Sequence, residues 1–452
     1  MAEWYEKTAL DLGSAIGAGE IDPVELAEHF IARIEAQDTE QKVYIRRLFE
    51  RTRAEAEAAA GRAKAGLRKS PLDGVPVCWK DCYDVAGLST SNGSKTLANR
   101  IAPADATLFT RGVEAGLVTL GKTNLTEFCF GGLGVNPVFG TPVNPFDKVT
   151  PRAPGGSSSG TGVAIASGLA AAGFGSDTRG SVRIPAAWNA LVGLKTTFGL
   201  LPGDGLLNLS PSLDTPGPLA KTVADANALL AIMAATPPAD LAGATLKGAC
   251  FGVPQELVWD DCEPGIAEAV RAGMAKMVAA GASFEDVSIP EFYELRDLLG
   301  QSGSFVAGEC WALWGETVEA APELVFKPIY DRMRAGVTMS SADSEMVRMR
   351  TAEMTARVQA RMAGFDGLVH PTLCFAPPPL AELEKGEEFY VESNLKSLRN
   401  TTPGNFFGLC GLTLPCGMDS QGLPVGLLLT GLPRTEGKIL RLGQASEDAL
   451  AA

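Results

Sequence analysis

Two serine-bearing loops flank one compact element of the chain. The first is Pro154-Gly155-Gly156-Ser157-Ser158-Ser159-Gly160, and the second is Gly175-Ser176-Asp177-Thr178-Arg179-Gly180-Ser181-Val182-Arg183-Ile184-Pro185. Between them Thr161 to Ala172 is nearly all Gly, Ala, Val, Ile and Leu. That composition predicts a buried helix whose lack of bulk lets other backbones approach, so serines on its two flanking loops can meet. A flexible Gly/Ser linker would not run into a buried apolar helix. Taken alone, Ser181 is equally a plain turn serine. The glycine before it permits a tight turn, however, and the consecutive backbone N–H groups of Thr178, Arg179, Gly180 and Ser181 can form an anion-binding nest for a tetrahedral intermediate.

A serine hydroxyl is a weak nucleophile until a base takes its proton. The chain has only two histidines, His29 and His370, in no ligand-type spacing, which argues against a zinc site and weakens a Ser-His-Asp triad. Both read as structural histidines, and the base is expected to be a lysine. Lys80 directly follows the apolar run Val75 to Trp79, at a predicted strand end. Desolvation and a nearby cation such as Arg183 would lower its pKa there. The competing reading is a surface lysine paired with Asp81 or Asp84. Gly116 to Thr123 matches the spacing of a phosphate-binding loop, but its intervening residues are themselves an apolar strand, so the match reads as accidental.

The elements that must position these residues can be traced outward. Asp22-Pro23-Val24-Glu25 opens a helix with an N-cap, proline at the first position and an acid placed for a capping box. Leu26, Ala27, Phe30, Ile31 and Ile34 form its buried stripe, and Arg51 to Ala65 reads as a second helix. From Pro71 to Leu219 short apolar runs such as Val75 to Trp79 and Leu117 to Leu120 alternate with helical patterns, the signature of an α/β fold. The alternation continues through a helix at Thr222 to Ala234 and a strand at Gly248 to Val253. From about Pro290 to Arg399 the chain turns helical, with Met333, Met339, Met346, Met349, Met354 and Met362 among charged residues. Flexible apolar packing or an adaptable substrate cap would use methionine equally well. Strand-like Leu412 to Pro415 and Val425 to Leu429 then suggest that the two ends of one domain come together.

Composition bounds the function. With 46% hydrophobic and 20% charged residues, 51 glycines and 29 prolines, the 452-residue chain is globular and rich in turns. A formal charge of −14 repels nucleic-acid backbones and anionic membranes. Nine scattered cysteines read as reduced thiols. The start, Met1-Ala2-Glu3-Trp4-Tyr5-Glu6-Lys7, has no leader pattern, and no apolar stretch approaches about 18 residues. A cytoplasmic location is expected, with neither nucleic acid nor membrane as partner.

Taken together, several segments closely resemble the amidase signature family over most of the chain. They are Gly74-Val75-Pro76-Val77-Cys78-Trp79-Lys80-Asp81, Gly121 to Phe128, Gly140-Thr141-Pro142-Val143-Asn144-Pro145 leading into the Gly/Ser loop, and Ser181 to Ala187. Gly193-Leu194-Lys195, Ser212 to Pro218 and Gly422-Leu423-Pro424-Val425-Gly426 extend the match. The resemblance implies an α/β fold with a large mixed twisted β-sheet covered by helices on both faces. It also implies one domain, 1–452, made of a helical part (1–70), a signature core (71–289), a variable helical cap (290–400) and a C-terminal return (401–452). It further implies Lys80 as catalytic base, Ser157 as a bridging serine in a cis peptide, and Ser181 as nucleophile of an acyl-enzyme that water hydrolyses. Cys129, Phe130 and Gly131 fall where the family often lines its substrate pocket, and Phe130 hints at an apolar or aryl acyl group. The family commonly has glycine where this chain has Arg179. That arginine either binds a carboxylate of protein or substrate, or reshapes the acyl pocket.

The leading expectation is a monomeric or homodimeric hydrolase of small amides, extending to carbamates (urethanes) and aryl or alkyl esters, that needs water but no cofactor or metal. The alternatives are the glutaminase component of a transfer-RNA amidotransferase complex and a non-catalytic binding protein of the same fold.

Overall fold

The computed structural model describes residues 3–301 and 305–452. Met1 and Ala2 and 302–304 of the variable region lie outside them. Short aliphatic runs become strands: β1 Tyr44–Arg47, β2 Pro76–Lys80, β3 Val118–Thr123, β4 Ala172–Asp177, β5 Val192–Lys195 and β6 Thr215–Ala220. Later in the chain come β7 Cys250–Pro254, β8 Ser283–Val287, β9 Gly367–Pro371, β10 Cys410–Met418 and β11 Pro424–Gly431. They join in one 11-stranded sheet in the order β1-β3-β2-β4-β6-β5-β10-β11-β9-β7-β8. β3, β2 and β4 are mutually parallel, as are β9, β7 and β8, while the pairs from β4 through to β9 are antiparallel. The sheet is therefore mixed.

Every residue of β2, β3, β4, β5, β6, β9 and β11 is buried. Successive side chains on a strand point to opposite faces, so these strands are covered on both sides. The N-terminal helix spans Pro23–Gln37 and buries its predicted stripe, with Asp22 accepting from the Val24 N–H. Glu25 does not close a capping box there. The helix expected at Arg51 to Ala65 spans Phe49–Ala65, a further helix at Ala9–Gly17 precedes both, and β10 and β11 enter the sheet between β5 and β9.

Two expectations change. The small-residue helix stops at Ala166 rather than Ala172, because Gly168 adopts the left-handed region at φ 66°. The residues from Ala172 instead form β4, which delivers the second serine loop. The 290–400 region is not wholly helical, since β9 lies within it. Its Met333, Met354 and Met362 are buried as packing, while Met346 and Met349 are exposed; none lines the principal cavity. Among the described residues no helix is long and apolar enough to cross a membrane.

Candidate active site

β2 and β4 lie side by side and parallel, with Trp79 opposite Phe174 and their rings stacked 4.0 Å apart. Their carboxyl ends therefore emerge together, where open α/β sheets place ligand sites. Lys80 is the last residue of β2 and is fully buried. Its Nζ donates to Ser157 Oγ at 2.7 Å and to Ser176 Oγ at 2.9 Å. The neighbouring acids are engaged elsewhere: Asp81 pairs with Lys122 and Asp84 with Arg100, each at 2.6 Å. Among the described residues no carboxylate pairs with Lys80, so the surface-lysine reading falls. Arg183 does not act as a free cation beside it, because its guanidinium is bound 3.0 Å from Asp177 in a buried ion pair.

The Gly156–Ser157 peptide is cis, and the Ser157 carbonyl accepts from Thr126 N at 3.1 Å and Ser159 N at 2.9 Å. The two serine loops are joined directly, Ser158 N donating to the Ser181 carbonyl at 3.2 Å. Ser181 is only 3% exposed. Ser157 Oγ is held by Lys80, whereas among the described residues no protein group is hydrogen-bonded to Ser181 Oγ. Such a hydroxyl is at liberty to turn toward a substrate, and catalytic hydrogen bonds commonly tighten only once substrate is bound.

Asp177 shapes the loop carrying Ser181. Its Oδ1 accepts from Gly180 N at 2.7 Å and its Oδ2 from Val182 N at 3.1 Å, while Asn405 Nδ2 donates to Oδ1 at 3.0 Å. Burial alone would push this carboxyl up, but the Arg183 charge and these donors hold it well below the usual carboxylate range. The predicted nest needs a correction here: the Gly180 N–H is committed to Asp177. Thr178, Arg179 and Ser181 keep backbone N–H groups that no protein acceptor takes among the described residues. Gly180 contributes conformation instead, at φ 134°, where a Cβ would run into the Thr401 side chain and come within 2.7 Å of Ile184 Cδ1. Thr401 Oγ1 in turn donates to the Arg179 carbonyl. Gly180→Ala should therefore displace the nest and lower kcat/KM at least about 100-fold. Steady-state kinetics on a variant with an unchanged circular dichroism spectrum will show it; activity within threefold of wild type would contradict this role.

Thr178 is anchored through its hydroxyl, which donates to Asp214 Oδ1 at 2.5 Å. Burial pushes the Asp214 carboxyl up from 3.8 to about 7. The folded chain thus holds a proton that the unfolded chain releases, and the stability this contributes is full below 3.8 and lost as pH rises through about 7. Asp214→Asn should make the slope of unfolding free energy against pH less negative by about 1.4 kcal/mol per pH unit between about pH 5 and 6.5. Denaturant titrations across that range measure it, and an unchanged slope would count against the raised carboxyl.

The proposed pocket residues stand behind the cavity wall. Cys129 Sγ donates to Asn92 Oδ1 at 3.3 Å, and the Gly131 carbonyl accepts from Thr126 Oγ1 at 3.2 Å. Phe130 is buried beneath Arg332, whose guanidinium carbon lies 4.1 Å from the ring centroid and whose NH1 donates to the Phe130 carbonyl at 3.2 Å. The lining of the cavity, about 840 Å³, includes Arg179, Arg332, Tyr390, Asn394, Thr402 and Phe406, not Cys129, Phe130 or Gly131. Arg332 covers Phe130, and Asn394 of the helix Glu387–Arg399 accepts from the Gly132 N–H at 2.8 Å beside Gly131. Both histidines are structural. His29 sits among the rings of Trp4, Tyr5 and Phe30, and burial lowers His370 to about 4, which keeps it neutral.

The sequence reading missed Ser176, Asp177, Arg332 and Tyr390. Asp177 carried a usable signal, since an aspartate three residues ahead of a glycine favours a side-chain-to-backbone turn. Arg332 and Tyr390 come from distant helices, Lys327–Arg334 and Glu387–Arg399, and carry no local signal.

The chain is similar to known proteins along most of its length. A family profile described as Amidase matches residues 25–440. The chain is 38% identical over 403 residues to a 2-amino-5-chloromuconic acid deaminase of Comamonas testosteroni, covering 88% of this chain and 86% of that one. It is 32% identical over 476 residues to a Glutamyl-tRNA(Gln) amidotransferase subunit of Myxococcus xanthus, covering 97% and 96%. The native peptide amidase of Stenotrophomonas maltophilia superposes with a TM-score of 0.84 at 27% identity, covering 99% of this chain and 97% of that one.

Proposed function

Because the chain belongs to the amidase family, an enzyme family acting on amides, we propose that it hydrolyses small-molecule amides as a stand-alone enzyme, with Ser181 as nucleophile, Ser157 as proton relay and Lys80 as base. The observation that carries the assignment is the 2.7 Å bond between the buried Lys80 amine and Ser157, in a place where no carboxylate among the described residues competes for that amine.

In this reading uncharged Lys80 takes a proton from Ser157 as Ser157 takes one from Ser181, and Ser181 Oγ attacks the amide carbonyl carbon. Negative charge then develops on the carbonyl oxygen, and the N–H groups of Thr178, Arg179 and Ser181 are available to receive it. The proton returns along the same path to the leaving nitrogen, the amine departs, and water attacks the acyl-enzyme by the same relay. Carbamates and aryl or alkyl esters pass through a similar oxyanion and are further candidate substrates.

The relative named for deaminating 2-amino-5-chloromuconic acid is more similar than the amidotransferase subunits, at 38% against 32% identity, and this favours a small substrate over a role inside a transfer-RNA complex. The test is a panel of amides, anilides, carbamates, esters and glutamine offered to the purified chain. Release of ammonia or aniline without any partner is expected. Glutaminase activity that appears only with added partner subunits would move the assignment to the amidotransferase reading. No turnover of any compound, with no labelling of Ser181 by a fluorophosphonate, would move it to the non-catalytic one.

A further inference from the structure

An arginine with a structural role here looks like Arg183, fully buried and bound by both Asp177 and Asn405. Arg179 and Arg332 look different. Arg179 spends Nε on Thr402 Oγ1 at 2.9 Å, and Arg332 spends one NH1 bond on the Phe130 carbonyl at 3.2 Å. A guanidinium has five N–H donors, and among the described residues neither side chain has a carboxylate within ion-pair distance. Both line the cavity, and both are half-buried. Burial and the Arg332 charge together disfavour the charge on Arg179, and burial does the same to Arg332.

A third residue lines the same cavity. Tyr390 lines the cavity at 3% exposure, and its hydroxyl is buried with no hydrogen-bond partner. Burial pushes that phenol upward, so it stays a neutral donor. A buried polar group left unpaired is costly unless a ligand completes it. The acids of the cavity do not serve: Asp331 and Glu387 are exposed at its rim and share Lys327, and Asp261 and Glu392 are exposed too.

We propose that Arg179, Arg332 and Tyr390 form a carboxylate-binding site, so that the substrate is an amide which itself carries a carboxylate. This rests on the amide-hydrolase reading for the reaction, though not for the binding. Donors from three residues that line one cavity suit one planar anion, and guanidinium forks match a carboxylate. Apolar neighbours such as Leu257, Phe292, Leu295 and Phe406 suit a hydrocarbon chain between that carboxylate and the scissile amide. Arg179 is two residues from Ser181 along the same loop, although Ser181 itself does not line this cavity. Where the family commonly has glycine, the arginine thus acts in substrate selection.

The experiment compares adipamate, a monoamide with one carboxylate, with the neutral diamide adipamide. Binding is measured by calorimetry on the Ser181→Ala protein, where neither compound turns over. Adipamate should bind at least about tenfold tighter than adipamide, and Arg332→Met should bring that ratio close to one, with Arg332→Lys retaining part of it. Tyr390→Phe removes only a hydroxyl that has no protein partner, which guards against misfolding as an explanation. It should weaken adipamate by about threefold to tenfold and leave adipamide unchanged. Equal binding of the two compounds, or a ratio that survives Arg332→Met, overturns the proposal. The kinetic arm separates the two readings. Wild type that hydrolyses both compounds with equal kcat/KM keeps the amide-hydrolase reading and sinks this one, whereas selective binding of adipamate without any hydrolysis does the reverse.

Discussion

Ser181→Ala is expected to lower kcat by about four to six orders of magnitude while leaving KM within a few-fold of wild type. The asymmetry follows from what alanine removes. The backbone N–H groups of residues 178 to 181 stay, as do the cavity and its arginines, so substrate binding and polarisation of the carbonyl survive. The only loss is the atom that forms the covalent bond. No cost in folding should accompany it, because among the described residues that hydroxyl makes no hydrogen bond to protein. Labelling by a fluorophosphonate should disappear in the same variant. A variant that kept a tenth of wild-type turnover would mean that some other group attacks the carbonyl, and Ser157, the nearest hydroxyl tied to Lys80, would then be the first suspect.

Much of this site is legible in the sequence because its chemistry is written in local patterns. The glycine-flanked serine loops, the small-residue segment between them and the apolar run ending at Lys80 each constrain the backbone within a few residues, and the structure joins them through the carboxyl ends of β2 and β4. The α/β alternation is legible for the same reason, as period and punctuation set strands and helices locally. The errors share a cause as well. The helix at Ser159–Ala166 reads as longer than it is because alanine serves a buried strand as well as a helix, and only the turn at Gly168 ends it. Gly180 looks like part of the nest because a run of consecutive N–H groups does not reveal that Asp177 already claims one. Arg332, more than 200 residues later in the chain, packs over Phe130, a contact that no local pattern announces. Long-range contacts of this kind depend on the order of eleven strands, which no window of sequence contains.

Lys80→Met should reduce kcat about as severely as loss of the nucleophile, and the double variant Lys80→Met/Ser181→Ala should be no slower than either single one. Residues that act as one relay are not additive: once the proton has no acceptor, the hydroxyl has little nucleophilicity left to lose. Methionine is chosen because it fills a similar volume without a basic nitrogen, in a position that is fully buried. Removing Nζ leaves the hydroxyls of Ser157 and Ser176, both bonded to it in the wild type, without that donor, so some loss of stability is expected and circular dichroism must show that the variant is folded. With the internal base gone, hydroxide must take the proton, so the residual rate should climb steeply with pH, in proportion to hydroxide, a profile the wild type does not share. That profile separates a missing base from a distorted site, since distortion would lower the rate without changing its pH dependence. Should Lys80→Met instead keep wild-type turnover and pH profile, proton transfer from Ser157 to this amine cannot be part of the reaction, and the 2.7 Å bond between them would have only a packing role.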